Sequence, residues 1–153
     1  MSKKTNPSYR GLLNQGDQVR IPLSGGDTDT GYRIVKLVLM PNDIDGATSH
    51  ECSVQVFSQK QATIHADIDF SKDALLAAGY YARTVQSGSP YVIDAATEAV
   101  IFDNTVVNQD IFVGYNTGQT GQKINFYLEL EEVKMSGPEQ AVINYKAALL
   151  HGE

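Results

Sequence analysis

The sequence predicts an all-β chain, a β-sandwich or single jelly roll of about seven to nine antiparallel strands closed by one C-terminal helix. Three observations lead there. Short apolar stretches recur with a period of two, as in DQVRIPL and KINFYLELEEVKM, which places alternate side chains on opposite faces of a strand. Turn-forming residues separate these stretches, in NQGD, SGGDTDTG, PND, QSGSP and NTGQTGQ, where glycine, proline and the short polar side chains suit tight bends. The strand-like stretches do not alternate with amphipathic helices, as a doubly wound α/β fold requires.

The 153 residues suit one domain, and a domain of that size buries roughly 70% of its unfolded surface. The chain divides into a polar, flexible arm at 1–8, a β-domain at 9–135, and a helix with its tail at 136–153. Tyr9–Leu13 forms a short first strand, closed by Asn14–Asp17. In the second strand Val19, Ile21 and Leu23 share a side. Pro22 moves this strand to a sheet edge, because proline donates no ladder hydrogen bond.

GYRIVKLVLMP reads as a central strand covered on both faces, with Ile34, Val38 and Met40 on one and Val35, Leu37 and Leu39 on the other. SVQVFS and TIHADIDF follow as short strands. Val54 and Val56 alternate with Gln55 and Phe57 in the first, and Ile64, Ala66 and Ile68 with His65 and Asp67 in the second. KDALLAAGYYA holds helix formers, but Gly79, Tyr80 and Tyr81 oppose a helix, so one helical turn leading into a strand is expected.

YVIDAATEAVIF reads as a hairpin with Asp94–Thr97 near its tip, and DNTVVNQDIFVGYN as a single further strand. In KINFYLELEEVKM the side chains of Ile124, Phe126, Leu128 and Leu130 share one face. The phase changes at Glu131 and Glu132, after which Val133 and Met135 are the apolar pair, as a β-bulge would arrange. Ser136-Gly137-Pro138-Glu139 makes a capping box, Val142, Tyr145 and Leu149 repeat at helical spacing, and Gly152 follows the last turn.

Composition limits the function classes. A formal charge of -6 with 12 Lys+Arg lacks the cationic footprint that neutralises nucleic-acid phosphates, and it is repelled by anionic membrane. No apolar run reaches the length of a bilayer span. MSKKTNPSYRG has the lysines of a signal peptide without its apolar core, so classical secretion is not expected. Cys52, the single cysteine, leaves no internal disulfide and no multi-cysteine zinc site.

The candidate sites are few. SGGDTDTG is not a phosphate cradle: Asp27 and Asp29 repel phosphate, GK[ST] is missing, and a strand rather than a helix follows. Its four oxygen-bearing side chains from Asp27 to Thr30 suit a calcium ion, but Ser, Gly and Asp also meet the needs of an ordinary hairpin turn, which is the favoured reading. DIDFSKD, with Asp67, Asp69 and Asp73, resembles half an EF-hand loop. Lys72 stands where that loop needs glycine, and Ala78 where it needs glutamate.

His50, His65 and His151 have no partners at metal-ligand spacing. His50 falls in a loop; were it in a strand it would share a face with Cys52, two residues on, and a structural pair is favoured there over a nucleophile and its base. Tyr80, Tyr81, Tyr91 and Tyr115 suit either a sugar-stacking or protein-docking surface or half-buried sheet positions.

YRGLLNQGDQVRIPLSGGDTDTGYRIVKL, IDFSKDALLAAGY, IFDNTVVNQDIFVGYN and INFYLELEEVKM resemble short proteins encoded by tailed bacteriophages of marine bacteria. The likeness runs from Tyr9 to about Met135. It implies a phage context, in which a small acidic β-sandwich without a catalytic signature is most often a virion component, and it brings no site residues with it.

The expected function is therefore that of a virion structural protein: a capsid decoration or minor capsid component, or one attached at a vertex or tail. It would act through assembly contacts at Tyr9, Leu12, Leu13, Tyr80 and Tyr81, made with further copies of itself and with other virion proteins. No catalysis, cofactor, nucleic acid or membrane enters this reading, and the chain would be made in the host cytoplasm and located in the virion. The alternative is a carbohydrate- or host-receptor-binding module, with calcium at Asp27 and Asp29 and tyrosines stacking on glycan.

Overall fold

Nine strands form in the computed structural model, which describes residues 6–23, 29–44, 48–85, 92–102, 105–119 and 121–138. They are β1 Ser8–Leu13, β2 Gln18–Ile21, β3 Thr30–Pro41, β4 His50–Phe57, β5 Leu75–Val85, β6 Val92–Ile101, β7 Val106–Val107, β8 Ile111–Thr117 and β9 Ile124–Lys134. One sheet has the order β1-β9-β3-β7 and the other β2-β8-β4-β5-β6, with every pair antiparallel.

A single apolar core joins the two sheets in a β-sandwich-like arrangement. Leu13, Ile34, Leu37, Leu39, Ile124, Phe126, Leu128 and Leu130 come from the first sheet, and Ile21, Val54, Val56, Ala77, Ile111, Val113 and Tyr115 from the second. The all-β class thus holds, as does the inward face predicted for β9. Pro22 ends β2, which is an edge strand as expected.

Tyr9–Leu13 is a strand, extended to Ser8, and pairs with β9 along its whole length. The Pro7 carbonyl already accepts a hydrogen bond from Leu130 N–H, at 2.9 Å. Residues 1–5 of the expected arm and residues 139–153 of the expected C-terminal helix lie outside the described residues.

Six expectations change. β3 is covered on one face, not two. Ile34 stands opposite Leu130 and Lys36 opposite Glu129, so Val35 is an extra residue, a β-bulge. The bulge shifts the phase, turning Ile34, Leu37 and Leu39 all to the core and leaving Val35, Val38 and Met40 exposed. The register slip expected in β9 is therefore in its partner, while β9 pairs without a shift through Lys134.

TIHADIDF is not a strand. Residues 58–74 run as irregular chain over the outer face of the five-stranded sheet, and side chains of that sheet substitute for a ladder. Gln55 Nε2 donates to His65 O at 2.8 Å, Ser53 Oγ to Ala66 O at 2.6 Å, and Asn116 Nδ2 to Ile64 O at 2.6 Å. The Gln18 amide donates to Gln61 O and accepts from Gln61 N, both at 2.9 Å. Beneath this cover Phe57, Ile64, Leu75 and Ala78 form a second apolar cluster. Gly114 makes room for it: a Cβ there would lie 2.5 Å from Ile64 Cδ1.

The expected helical turn before β5 is a pair of tight turns, with Lys72 N–H donating to Asp69 O and Leu75 N–H to Lys72 O. VIDAATEAVI is one continuous strand, β6, rather than a hairpin, because every residue from Ala77 to Thr84 has a partner on it. DNTVVNQDIFVGYN is two strands in different sheets, β7 beside β3 and β8 beside β4. Asp110 marks the crossing: its carboxylate accepts from Leu23 N–H at 2.9 Å and pairs with Arg20 at 3.4 Å.

Candidate functional site

Period-two alternation fixes what the outer face of the four-stranded sheet presents. With Leu13, Gly11 and Tyr9 facing in, Leu12 and Arg10 must face out, and the register aligns them across three strands. Leu12, Asn125 and Met40 make one row, and Arg10, Tyr127 and Val38 the next. Leu12 is 45% exposed and Met40 54%, and Val38 and Val35 are also exposed. Lys36 Nζ lies 5.9 Å from the Tyr127 ring centroid, and Tyr127 Oη donates to Glu129 at 3.3 Å. Apolar side chains rimmed by Arg10, Lys36 and Glu129 form a surface able to bury itself against a protein partner.

A second cluster is buried. His50 and Arg83 are cross-strand partners in β4 and β5. Arg83 is 2% exposed, yet its guanidinium donates to Thr48 O at 3.0 Å, Asp43 O at 2.7 Å and Asp43 Oδ2 at 3.3 Å. It fastens both ends of the β3–β4 connection to the sheet. Tyr115 Oη donates to Gln122 O at 3.0 Å and lies 3.0 Å from His50 Nε2.

A hydroxyl has one proton to give, so His50 Nε2–H is the donor to Tyr115. Burial lowers the His50 pKa, the Arg83 charge lowers it further, and Asp43 opposes both. His50 Nδ1 and Asp43 Oδ1 are buried without a hydrogen-bond partner. The Tyr81 ring meets His50 edge-on, with centroids 5.6 Å apart. Cys52 Sγ donates to Tyr81 O at 3.6 Å, and burial pushes its pKa up to about 11. A protonated thiol bonded to a carbonyl is no nucleophile. The cluster ties loops to sheets.

The residues singled out in the sequence scatter. Asp27 lies outside the described residues. Asp29 is paired with Lys134 at 3.6 Å, and its carbonyl accepts from Met135 N–H at 2.8 Å. Asp69 is turned to its own loop: Ser71 Oγ and Ser71 N–H both donate to its carboxylate, which lowers its pKa. Among the described residues, no three His, Cys, Asp or Glu side chains converge as a metal site.

The described members of the tyrosine set, Tyr80, Tyr81 and Tyr115, make no common surface. Tyr115 is fully buried, Tyr81 half-buried against the core, Tyr80 exposed on the other side of β5, and Tyr91 outside the described residues. Leu13 is 1% exposed inside the core and Tyr9 packs against that core. Leu12 and Tyr80 are the exposed members of the expected contact set.

Sequence reasoning missed Val38 and Met40 because the bulge reverses their phase, and it missed Arg83. Arg83 has a signal in retrospect, since it keeps phase with Gly79 and Tyr81 in AAGYYAR, whose inward members pack on Leu39 and His50. No protein-family model matches the chain, and no curated protein matches it.

Proposed function

We propose that this chain is a structural component of a tailed-phage virion that works by contact between subunits and not by catalysis. The observation that carries the proposal is the outer face of the four-stranded sheet, where Leu12, Val38 and Met40 stand exposed in neighbouring rows. Contiguous exposed apolar side chains of this kind mark interaction surfaces. The charge of -6 favours protein partners over nucleic acid, and the likeness to phage proteins supports the virion as the setting, after synthesis in the host cytoplasm.

The finer fold reading is a single jelly roll. What supports it is the path of the chain: β1-β9-β3-β7 faces β2-β8-β4-β5, with β6 added at an edge, and the chain crosses between sheets at six of its eight connections. Such a path is the one expected of two interleaved Greek keys, an architecture frequent in viral capsids and also in lectins. The glycan-binding alternative gains less support, because Asp29 is engaged by Lys134.

Mass spectrometry of purified particles tests the proposal. The expected result is a fixed stoichiometry relative to the major shell protein, falling at least roughly fivefold when Leu12→Ser and Met40→Ser are combined. Abundance in infected-cell extract with absence from particles would overturn it.

A further inference from the structure

The sheet edges differ in how they are protected. Natural proteins shield edge strands by keeping them short, by placing proline or lysine on them, or by bulging them. β7 has 2 residues, β2 has 4 and is followed by Pro22, and β1 has 6 including Arg10. β6 has 10 residues, VIDAATEAVI, with neither proline nor a basic residue; its one register shift lies at its start, opposite Thr84 and Val85, and from Asp94 to Ile101 it runs in regular register as the last strand of its sheet among the described residues. Every residue from Asp94 to Val100 is exposed, whereas Ala78 and Gly79, opposite Val100 and Ala99 on β5, are buried.

Backbone geometry shows which groups of β6 face outward. Phe102 N–H donates to Leu76 O at 3.0 Å, in phase with the pairs Ala78–Val100, Tyr80–Glu98, Ala82–Ala96 and Thr84–Asp94. In an antiparallel ladder alternate pairs exchange hydrogen bonds. The intervening residues Ala95, Thr97, Ala99 and Ile101 therefore direct N–H and C=O away from β5.

We infer that β6 is the pairing edge for a second copy of this chain, joined antiparallel about a two-fold axis at Thr97 so that two five-stranded sheets become one. The sequence around Thr97 selects a like strand. Ala95, Thr97 and Ala99 read the same in both directions, so self-pairing sets Thr97 opposite Thr97 and Ala95 opposite Ala99. In this register Asp94 faces Val100 and Glu98 faces Ala96, whereas centring on Ala96 would oppose Asp94 to Glu98. Like charges directly opposite are destabilising, and small side chains leave the backbones free to approach. An isologous contact of this kind closes on itself instead of growing into a fibre.

This inference rests on the assembly reading above and assigns it a surface distinct from the Leu12–Met40 face. Variants with one added cysteine test it on the intact chain in solution, since Cys52 is buried. At the two-fold axis, Cα atoms of a hydrogen-bonded pair lie about 5.5 Å apart, within disulfide reach. Under mild oxidation Thr97→Cys is expected to form covalent dimers roughly tenfold faster than Ala95→Cys or Ala99→Cys, whose own copies are displaced along the strand. A second variant, Thr97→Pro, removes an outward N–H, and Thr97→Val, which loses the same Thr97 Oγ1 bond to Tyr80 O (3.0 Å) but keeps that N–H, is its control; the proline variant is expected to have the lower dimer content of the two in sedimentation.

Equal crosslinking at the three positions, or none at Thr97→Cys, overturns the inference. Failure there alongside a Leu12/Met40-dependent presence in particles removes the edge contact alone. Crosslinking at Thr97→Cys in a protein absent from particles would instead remove the virion role and leave the edge contact standing.

Discussion

The two sheets of this molecule treat their outer faces in opposite ways. Over the five-stranded sheet, residues 58–74 lie as a lid of irregular chain, held by Gln18, Gln55, Ser53 and Asn116 and seated through Ile64 on Phe57, Ala78 and Gly114. Over β1, β9 and β3 the described residues place no such cover, and Leu12, Val38 and Met40 remain exposed. Both faces carry apolar side chains, so composition alone does not separate them. The difference lies in polar donors: the covered face offers side-chain amides that satisfy the carbonyls of a chain lying across it. An irregular segment settles only where its backbone groups find partners.

Substitutions along β9 and across both faces break or sharpen this contrast. The largest effect is expected inside the core shared by both sheets. Leu128→Ala removes a side chain with 0% exposure and should cost about 3 kcal/mol, read as a lower denaturation midpoint at unchanged slope.

On the covered face, Ile64→Ala is expected to cost about 2 kcal/mol. Because Ile64 sits in the lid, amide exchange of residues 58–74 should speed up before that of β4 or β8, reporting local opening. Uniform acceleration across the sheet would show that lid and sheet unfold as one unit.

His50 gives a pH-dependent comparison. Its folded pKa is lowered from the usual 6.5, so above pH 7 the ring is neutral in both states and adds no pH dependence. As pH falls through 6.5, the unfolded chain takes up a proton that the folded chain resists, and stability declines. The slope for one proton is at most about 1.4 kcal/mol per pH unit. Denaturation of the parent and of His50→Gln between pH 5 and 7 checks this, the variant being expected to lose that part of the slope.

The smallest effect on folding is expected on the bare face. Met40→Ser should change stability by less than about 0.5 kcal/mol while reducing assembly. A large loss of stability would mean that this face is covered in the free protein.

The sequence made the inward positions legible wherever one residue type dominated one phase. Ile124, Phe126, Leu128 and Leu130 alternate with polar residues, so β9 needed no further information. Period two fails at β3 because Val35 bulges and its outer face is itself apolar, which gives no polar phase to read. In TIHADIDF the alternation is real, but whether such a segment joins a ladder depends on donors elsewhere in the chain, at Gln55 and Asn116. Of the expected contact set, Leu12 and Tyr80 are exposed while Leu13 is core. The sequence alone does not distinguish these roles, since Leu12 and Leu13 are chemically identical neighbours separated by one step of the pleat.

The pairing of β1 with β9 bears on how the chain acquires its shape. β4, β5 and β6 are consecutive, whereas among the described residues the first strand pairs only with the last, across more than a hundred residues of sequence from Gly11 to Phe126. Closing so large a loop is entropically slow, and all-β domains dominated by distant pairings fold in milliseconds to seconds. On the ribosome the meander has its partners early, but Ser8–Leu13 must wait until Ile124–Glu129 has emerged. Until then Leu13 and its neighbours travel unpaired, and that interval is when a nascent chain depends most on chaperones.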